Sequence, residues 1–203
     1  MGMNVYLENV ASYGYKACAT AKATMQQNIP GISGQRIAIR AFGAVSGSQA
    51  TALYFMQVAA STTTDGAAVS SATTVKLTST AIGGAAATLA ALDHVCFLMD
   101  NGTYHFTTVL SMGVATVEVT DAFVDTVADN QPVWGFGVQS DTGHVGYQLT
   151  AHGAAPGTST NKELEGGLFY GSGKGHPMIV KFLDLASTMV ATLNYVTVGY
   201  INK

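Results

Sequence analysis

The chain has 203 residues, enough for one large domain or two small ones, and only 10% of them are charged, against about 25% in a typical soluble domain. Nine Lys and Arg against twelve Asp and Glu give a formal charge of −3, too little and too scattered for broad binding to a phosphate backbone. A hydrophobic content of 48% and a mean hydropathy of +0.27 exclude disorder of the whole chain, and no apolar run is long enough to cross a membrane as a helix.

A surface of hydroxyls, small apolar groups and backbone repels its own copies weakly. That surface suits a protein packed against other subunits. The opening MGMNVYLENV has no basic region followed by an apolar run, so no secretory signal is read there and folding in a cytoplasm is expected. Cys18 and Cys96 allow one disulfide, but two unpaired buried thiols fit better.

In chain order, residues 1–35 form an N-terminal arm or short helical segment that ends in Ile29-Pro30-Gly31. Its stretch 16–27 could make a short helix, though it has no clear cap. Residues 36–203 then read as a β domain. Arg36-Ile37-Ala38-Ile39-Arg40 alternates with period two, which predicts a strand over 36–45. Residues 46–50 lead as a hairpin loop into a strand over 51–60. Another strand is predicted over 73–80, followed by an Ala-rich stretch, 80–93, with a helical turn weakened by Gly83-Gly84.

The clearest pattern runs over 94–120. Asp100-Asn101-Gly102-Thr103 signals a two-residue hairpin, because Asn-Gly tolerates the positive φ angles of a type I′ turn. That register sets Met99 opposite Tyr104, Phe97 opposite Phe106 and Val95 opposite Thr108. A second turn at Met112-Gly113 sets Val117 opposite Thr108 and Val119 opposite Phe106. Val95, Phe97, Tyr104, Phe106, Val117 and Val119 then share one buried face. Further strands are predicted over 131–138, 144–151, 178–183 and 191–201. Residues 152–176 hold seven glycines and little periodicity, and read as an exposed loop. About ten closely spaced strands predict a mainly β fold, an antiparallel sandwich or barrel with an N-terminal arm and a long Gly-rich loop. The similarity of 74–78 to 116–120 is either a true repeat or recurrent strand grammar, and unequal spacing favours the latter.

Chemical motifs are sparse. His94 and His105 fall on one face in this register but roughly 13 Å apart along the strands, too far to share a metal, and they read as solvent or interface histidines. No metal, cofactor or catalytic residue is assigned. Gly171-Ser172-Gly173-Lys174-Gly175 lacks the spacing of a P-loop, with Leu168 where the first Gly belongs and Gly175 where Ser or Thr belongs. No GxSxG elbow frames a nucleophile. Glu163 and Glu165 read as solvated loop residues. Asn101-Gly102-Thr103 matches a glycosylation acceptor, but the hairpin already explains it. Trp134 lies in Val133-Trp134-Gly135-Phe136-Gly137. If Val133 faces inward, Trp134 faces outward between small neighbours, which suits a subunit interface or sugar stacking, with burial in a two-layer core about as well supported. Trp134, Phe169 and Tyr170 are the candidate interface residues.

Two runs carry a resemblance. Ala115-Thr116-Val117-Glu118-Val119-Thr120 with Pro132-Val133-Trp134-Gly135-Phe136-Gly137 is one. Asp93-His94-Val95-Cys96-Phe97-Leu98-Met99-Asp100-Asn101-Gly102-Thr103-Tyr104 is the other. In texture, over residues 36–138, the chain resembles virion structural proteins of tailed bacteriophages, and most of all capsid decoration, or cement, proteins. The resemblance implies a non-enzymatic protein that stabilises the head, a homo-oligomer with a trimer as the first expectation, and the major capsid protein as partner. It also implies a virion location after synthesis in the host cytoplasm, with neither nucleic acid nor membrane as partner. The arm and the long loop would grip neighbouring subunits. The alternatives are a tail, baseplate or fibre component, or a carbohydrate-binding β-sandwich that uses Trp134.

Overall fold

The structure is a computed structural model, and it describes residues 8–13, 16–18, 26–46, 51–84, 88–137, 145–149, 160–163, 169–182 and 191–202. Every regular element of length among them is a strand, and all the pairings are antiparallel. The chain divides into two compact units. One is Met1–Met56 with Val145–Lys203, and the other is Gln57–His144. The second unit is thus an insertion into the first, within the residues 36–203 read from sequence as one β domain.

The first unit holds two sheets. Strands β1 (Glu8–Tyr13), β2 (Lys16–Cys18), β4 (Arg36–Ser46), β13 (Thr160–Glu163), β14 (Phe169–Lys174) and β16 (Ala191–Ile201) form one. The other runs β12 (Val145–Leu149), β5 (Thr51–Met56), β15 (Met178–Phe182), β3 (Gln26–Ile29). Val145 pairs with Phe55, so the inserted unit leaves and re-enters at neighbouring points of one sheet.

Residues of both sheets meet in one core, including Ile37, Ile39 and Phe42 from β4, Leu53 and Phe55 from β5, Phe182 from β15 and Val198 from β16. Phe42 meets Phe55 edge to face, with centroids 5.3 Å apart. The alternation predicted for β4 holds through Ile39 and then changes parity. Ile39 pairs with Val198 but Ala41 pairs with Thr197, so Arg40 is an extra residue. That bulge lets Phe42 and Ala44 follow Ile37 and Ile39 into the core.

Two segments expected to be irregular contain strands. The two ends of the expected short helix, 16–18 and 26–27, lie in β2 and β3; residues 19–25 lie outside the described residues. β1 and β2 pair with β16, and β3 pairs with β15. Within 152–176, β13 and β14 both pair with β4. The glycines hid this because they interrupt the period-two pattern, while the pairing rests on backbone groups. In the Ala-rich stretch Gly84 belongs to a 3₁₀ turn, and residues 85–87 lie outside the described residues.

The second unit is one six-stranded sheet, ordered β6 (Ala60–Thr63), β11 (Pro132–Gly137), β8 (His94–Leu98), β9 (Tyr104–Met112), β10 (Thr116–Val119), β7 (Thr74–Lys76). The meander β8–β9–β10 is as predicted, but its register is not. Phe97 pairs with His105 and Cys96 with Phe106, one residue from the expected pairing. The turn is the cause. Gly102 has φ +79° while Asn101 stays out of the positive region, and Gly102 N–H donates to the Met99 carbonyl at 2.9 Å. A type I′ turn needs both central residues at positive φ. This is the three-residue loop that ends in a left-handed glycine.

A one-residue slip turns every side chain of β9 over. The core face therefore carries Val95 and Phe97 from β8, Met99 just beyond it, Val109 from β9, and Val117 and Val119 from β10. Tyr104 and Phe106 lie on the opposite face, and neither is fully buried. The second turn also differs: Val117 pairs with Met112 and Val119 with Val109, with a bulge between them. The two similar segments found in the sequence are direct neighbours, Val75 opposite Val117, and both valines enter the core.

Candidate interface residues

The structure separates the three candidates. Trp134 belongs to the inserted unit, and Phe169 and Tyr170 to the other. Trp134 is only 6% exposed, so of its two readings burial holds and an uncovered ring does not. On β11, Val133 and Gly135 face the core while Trp134 and Phe136 face the other side. A Cβ on Gly135 would lie 1.9 Å from the Ile82 carbonyl oxygen, so the small residue serves a close backbone approach on the core side.

On the second face of this sheet four aromatic side chains gather. Tyr104 stacks on Trp134, Phe106 lies 6.4 Å from Phe136, and Tyr104 lies 6.4 Å from Phe106, centroid to centroid. Cys96 stands in register between Trp134 and Phe106. Its free thiol is buried, and burial pushes its pKa up. Burial also raises the Tyr104 phenol, with a smaller contribution from the Cys96 thiolate. A thiol held protonated in this way is a poor nucleophile.

His94 and His105 sit on opposite faces of the sheet, and both are buried, which corrects the reading as solvent histidines. His105 Nε2 is 3.1 Å from the Asp121 carbonyl oxygen, and its ring packs 5.1 Å from Phe123. Thr107 on the same face donates to the Asp121 carboxylate and accepts from the Asp121 N–H, both at 3.1 Å. These bonds satisfy two polar side chains turned toward a core.

In the other unit Phe169 packs against the core, 5.7 Å from the Phe55 ring. Tyr170, partly buried, lies on the side of β14 opposite Phe169, with the Arg36 guanidinium 5.6 Å from its ring centroid. Arg36 Nε also donates to the Gly171 carbonyl. Near it, Ser172 Oγ and His176 Nδ1 are 3.0 Å apart. Burial lowers the His176 pKa, and the positive charge of Arg36 lowers it further. Sequence reasoning passed over this group because its members come from both ends of the chain.

No family model and no curated protein matches the chain. Solved structures give distant similarities to viral capsid proteins. The mavirus penton protein is 8% identical, with a TM-score of 0.30, over 96% of this chain and all of that one. VP17, a capsid protein of bacteriophage P23-77, is 11% identical, with a TM-score of 0.19, over 95% and 99%. The VP2 subviral particle of infectious bursal disease virus is 10% identical, with a TM-score of 0.15, over 96% and 42%. Chain paths overlap loosely at such scores, and neither fold nor function is read from them.

Proposed function

We propose that the chain is a non-enzymatic structural protein of a virion, located in the particle after synthesis in the host cytoplasm. Within that class the reading is a capsid decoration protein that stabilises the head, oligomerises with itself, with a trimer first, and sits on the major capsid protein. The observation that carries it is a surface poor in charge that also exposes large apolar side chains. Val69, Leu92, Val114 and Val124 are each more than 65% exposed, in a chain with 10% charged residues. Val69 and Val124 lie on two segments joined by backbone hydrogen bonds, and exposed apolar side chains brought together mark association surfaces.

Among the described residues the one serine–histidine pair, Ser172 with His176, does not support hydrolysis. A catalytic histidine needs a neighbour that stabilises its imidazolium, the part a carboxylate plays in a triad. Arg36 does the reverse at His176. The carbohydrate-binding alternative loses its platform, because the Trp134 face already stacks on Tyr104.

The test is to purify particles made from the genome that encodes the chain and to quantify it in separated heads and tails. Many copies on heads, removable without loss of the major shell, are expected. Presence only in tails would move it to the tail, baseplate or fibre class. Absence from all particles would overturn the reading.

A further inference from the structure

The few charges of this chain are not mixed. Residues 57–144 hold eight of the twelve Asp and Glu and only Lys76 among the nine Lys and Arg. The rest of the chain holds four acidic and eight basic residues. One unit is therefore formally −7 and the other +4. A chain that spends so little on charge sorts it by unit, which is the pattern of complementary surfaces rather than of simple solubility.

The basic unit has a defined centre. Lys174 is the register partner of Arg36, so the two cations share one side of the sheet with Cβ atoms about 5 Å apart. Like charges directly opposite are destabilising on their own. Arg36 is held in place by its bond to Gly171 and by the Tyr170 ring. Guanidinium carries five N–H donors, and only Nε has an acceptor among the described residues. The only ion pair among the described residues is Lys76 with Asp65, in the other unit. Arg40, exposed at its bulge, adds a third cation further along β4.

The acidic unit offers the complement. Exposed Asp100 accepts the Ala128 N–H at 2.9 Å, and exposed Asp129 accepts the Gly66 N–H at 2.7 Å. Backbone donors thus fix two carboxylates at one end of the sheet. Segments 66–71 and 123–129 run side by side there, joined from Ala68 to Val127 and from Ser71 to Phe123. They also carry the exposed Val69 and Val124. Apolar side chains beside fixed charges have the make-up of an interface core and rim.

We infer that Arg36 and Lys174, on the side of β4 and β14 away from the core, dock the acidic unit of a second copy of this chain. The inference rests on the assembly reading above and names the contact that carries it. The guanidinium fork of Arg36 and the Lys174 ammonium receive carboxylates of the Asp100–Asp129 end, and Val69 and Val124 fill the centre. Two different patches meet, so the contact is heterologous and closes as a ring or extends as a lattice.

The test uses charge reversal at exposed positions of the full chain. Association is measured by sedimentation for the wild type, Lys174→Glu, Asp129→Lys and the double variant, at salt from about 0.05 to 0.5 M, across which screening shortens several-fold. Circular dichroism melts check that each variant folds. The expected result is that each single reversal weakens association several-fold, that the double variant restores most of it, and that salt weakens the wild type. Single reversals without effect, or a double variant no better than the singles, would overturn the contact. A wild type that stays monomeric would overturn it as well. A chain abundant in purified heads with unaffected reversals would sink this contact and leave the virion reading standing. Binding of a single-stranded DNA oligonucleotide to the wild type, lost in Lys174→Glu, without self-association would assign the face to phosphate instead.

Discussion

Tyr104 stacks on Trp134 with ring centroids 5.4 Å apart and planes inclined by 22°, although β8 separates their strands in the sheet. The two rings lean toward each other across the strand that carries Cys96. The pair, not Trp134 alone, is the unit of this face. Truncating Trp134 to alanine should cost about 3–5 kcal/mol. A double-mutant cycle with Tyr104→Ala should show a coupling of about 0.5–1.5 kcal/mol, as for stacked aromatic pairs. In the same Trp134→Ala variant, Cys96 should begin to react with a thiol reagent that leaves it untouched in the wild type. Zero coupling by denaturant titration would remove the stack as a source of stability.

The register of the β8–β9 hairpin makes a sharp difference between two phenylalanines. Phe97 is fully buried and meets Phe123 edge to face with centroids 5.0 Å apart. Phe106 lies on the other face and is partly exposed. Phe97→Ala should therefore cost about 3–5 kcal/mol, and Phe106→Ala clearly less. Equal losses in urea unfolding, or a larger loss for Phe106, would favour the two-residue turn over the one observed.

How much of this was legible in the sequence depends on where the information sits. Strand positions came through, because β-branched and aromatic residues alternate in β4, β8, β9 and β16 whatever lies beside them. The buried pair Val117 and Val119 was legible for the same reason. The faces of β9 were not. Tyr104 and Phe106 looked like core residues, and His105 like a solvent or interface residue. Only Asp121, fourteen residues beyond Thr107, explains why two polar side chains point inward. The insertion was hidden too, since Phe55 pairs with Val145 across a gap in sequence that no local pattern spans. The Arg36–Tyr170–His176 group shares this cause: partners from opposite ends of the chain leave no motif.

Gly135 tests the close approach on the core side of β11. An added methyl would meet the Ile82 carbonyl oxygen at 1.9 Å, and a second Ile82 backbone atom, the carbonyl carbon, lies at 2.9 Å. A backbone cannot swing aside as a side chain does. Gly135→Ala should destabilise by about 1–3 kcal/mol, the range for overpacking a filled site. Gly113→Ala, where the nearest atoms lie 3.5 Å away, is the control and should change little. A Gly135→Ala variant with unchanged melting temperature would show that the two segments stand further apart.

His176 gives a pH dependence whose sign follows from its surroundings. Burial is the first cause of its lowered pKa and the Arg36 charge the second. Ser172 Oγ at Nδ1 is its hydroxyl neighbour, and Lys174 adds positive charge two residues away. In the unfolded chain the imidazole titrates near its ordinary value, about 6.5. Between that value and the lower folded value, the unfolded state binds the proton and the native state does not. Stability therefore rises with pH across this window, is lost as pH falls through it, and levels off once both states are protonated. Arg36→Gln should move the His176 pKa back toward its ordinary value without restoring it fully, because burial remains. The imidazole proton shifts in an NMR titration read this directly. A His176 pKa that does not move on Arg36→Gln would separate the two side chains, and with them the electrostatic centre around Arg36.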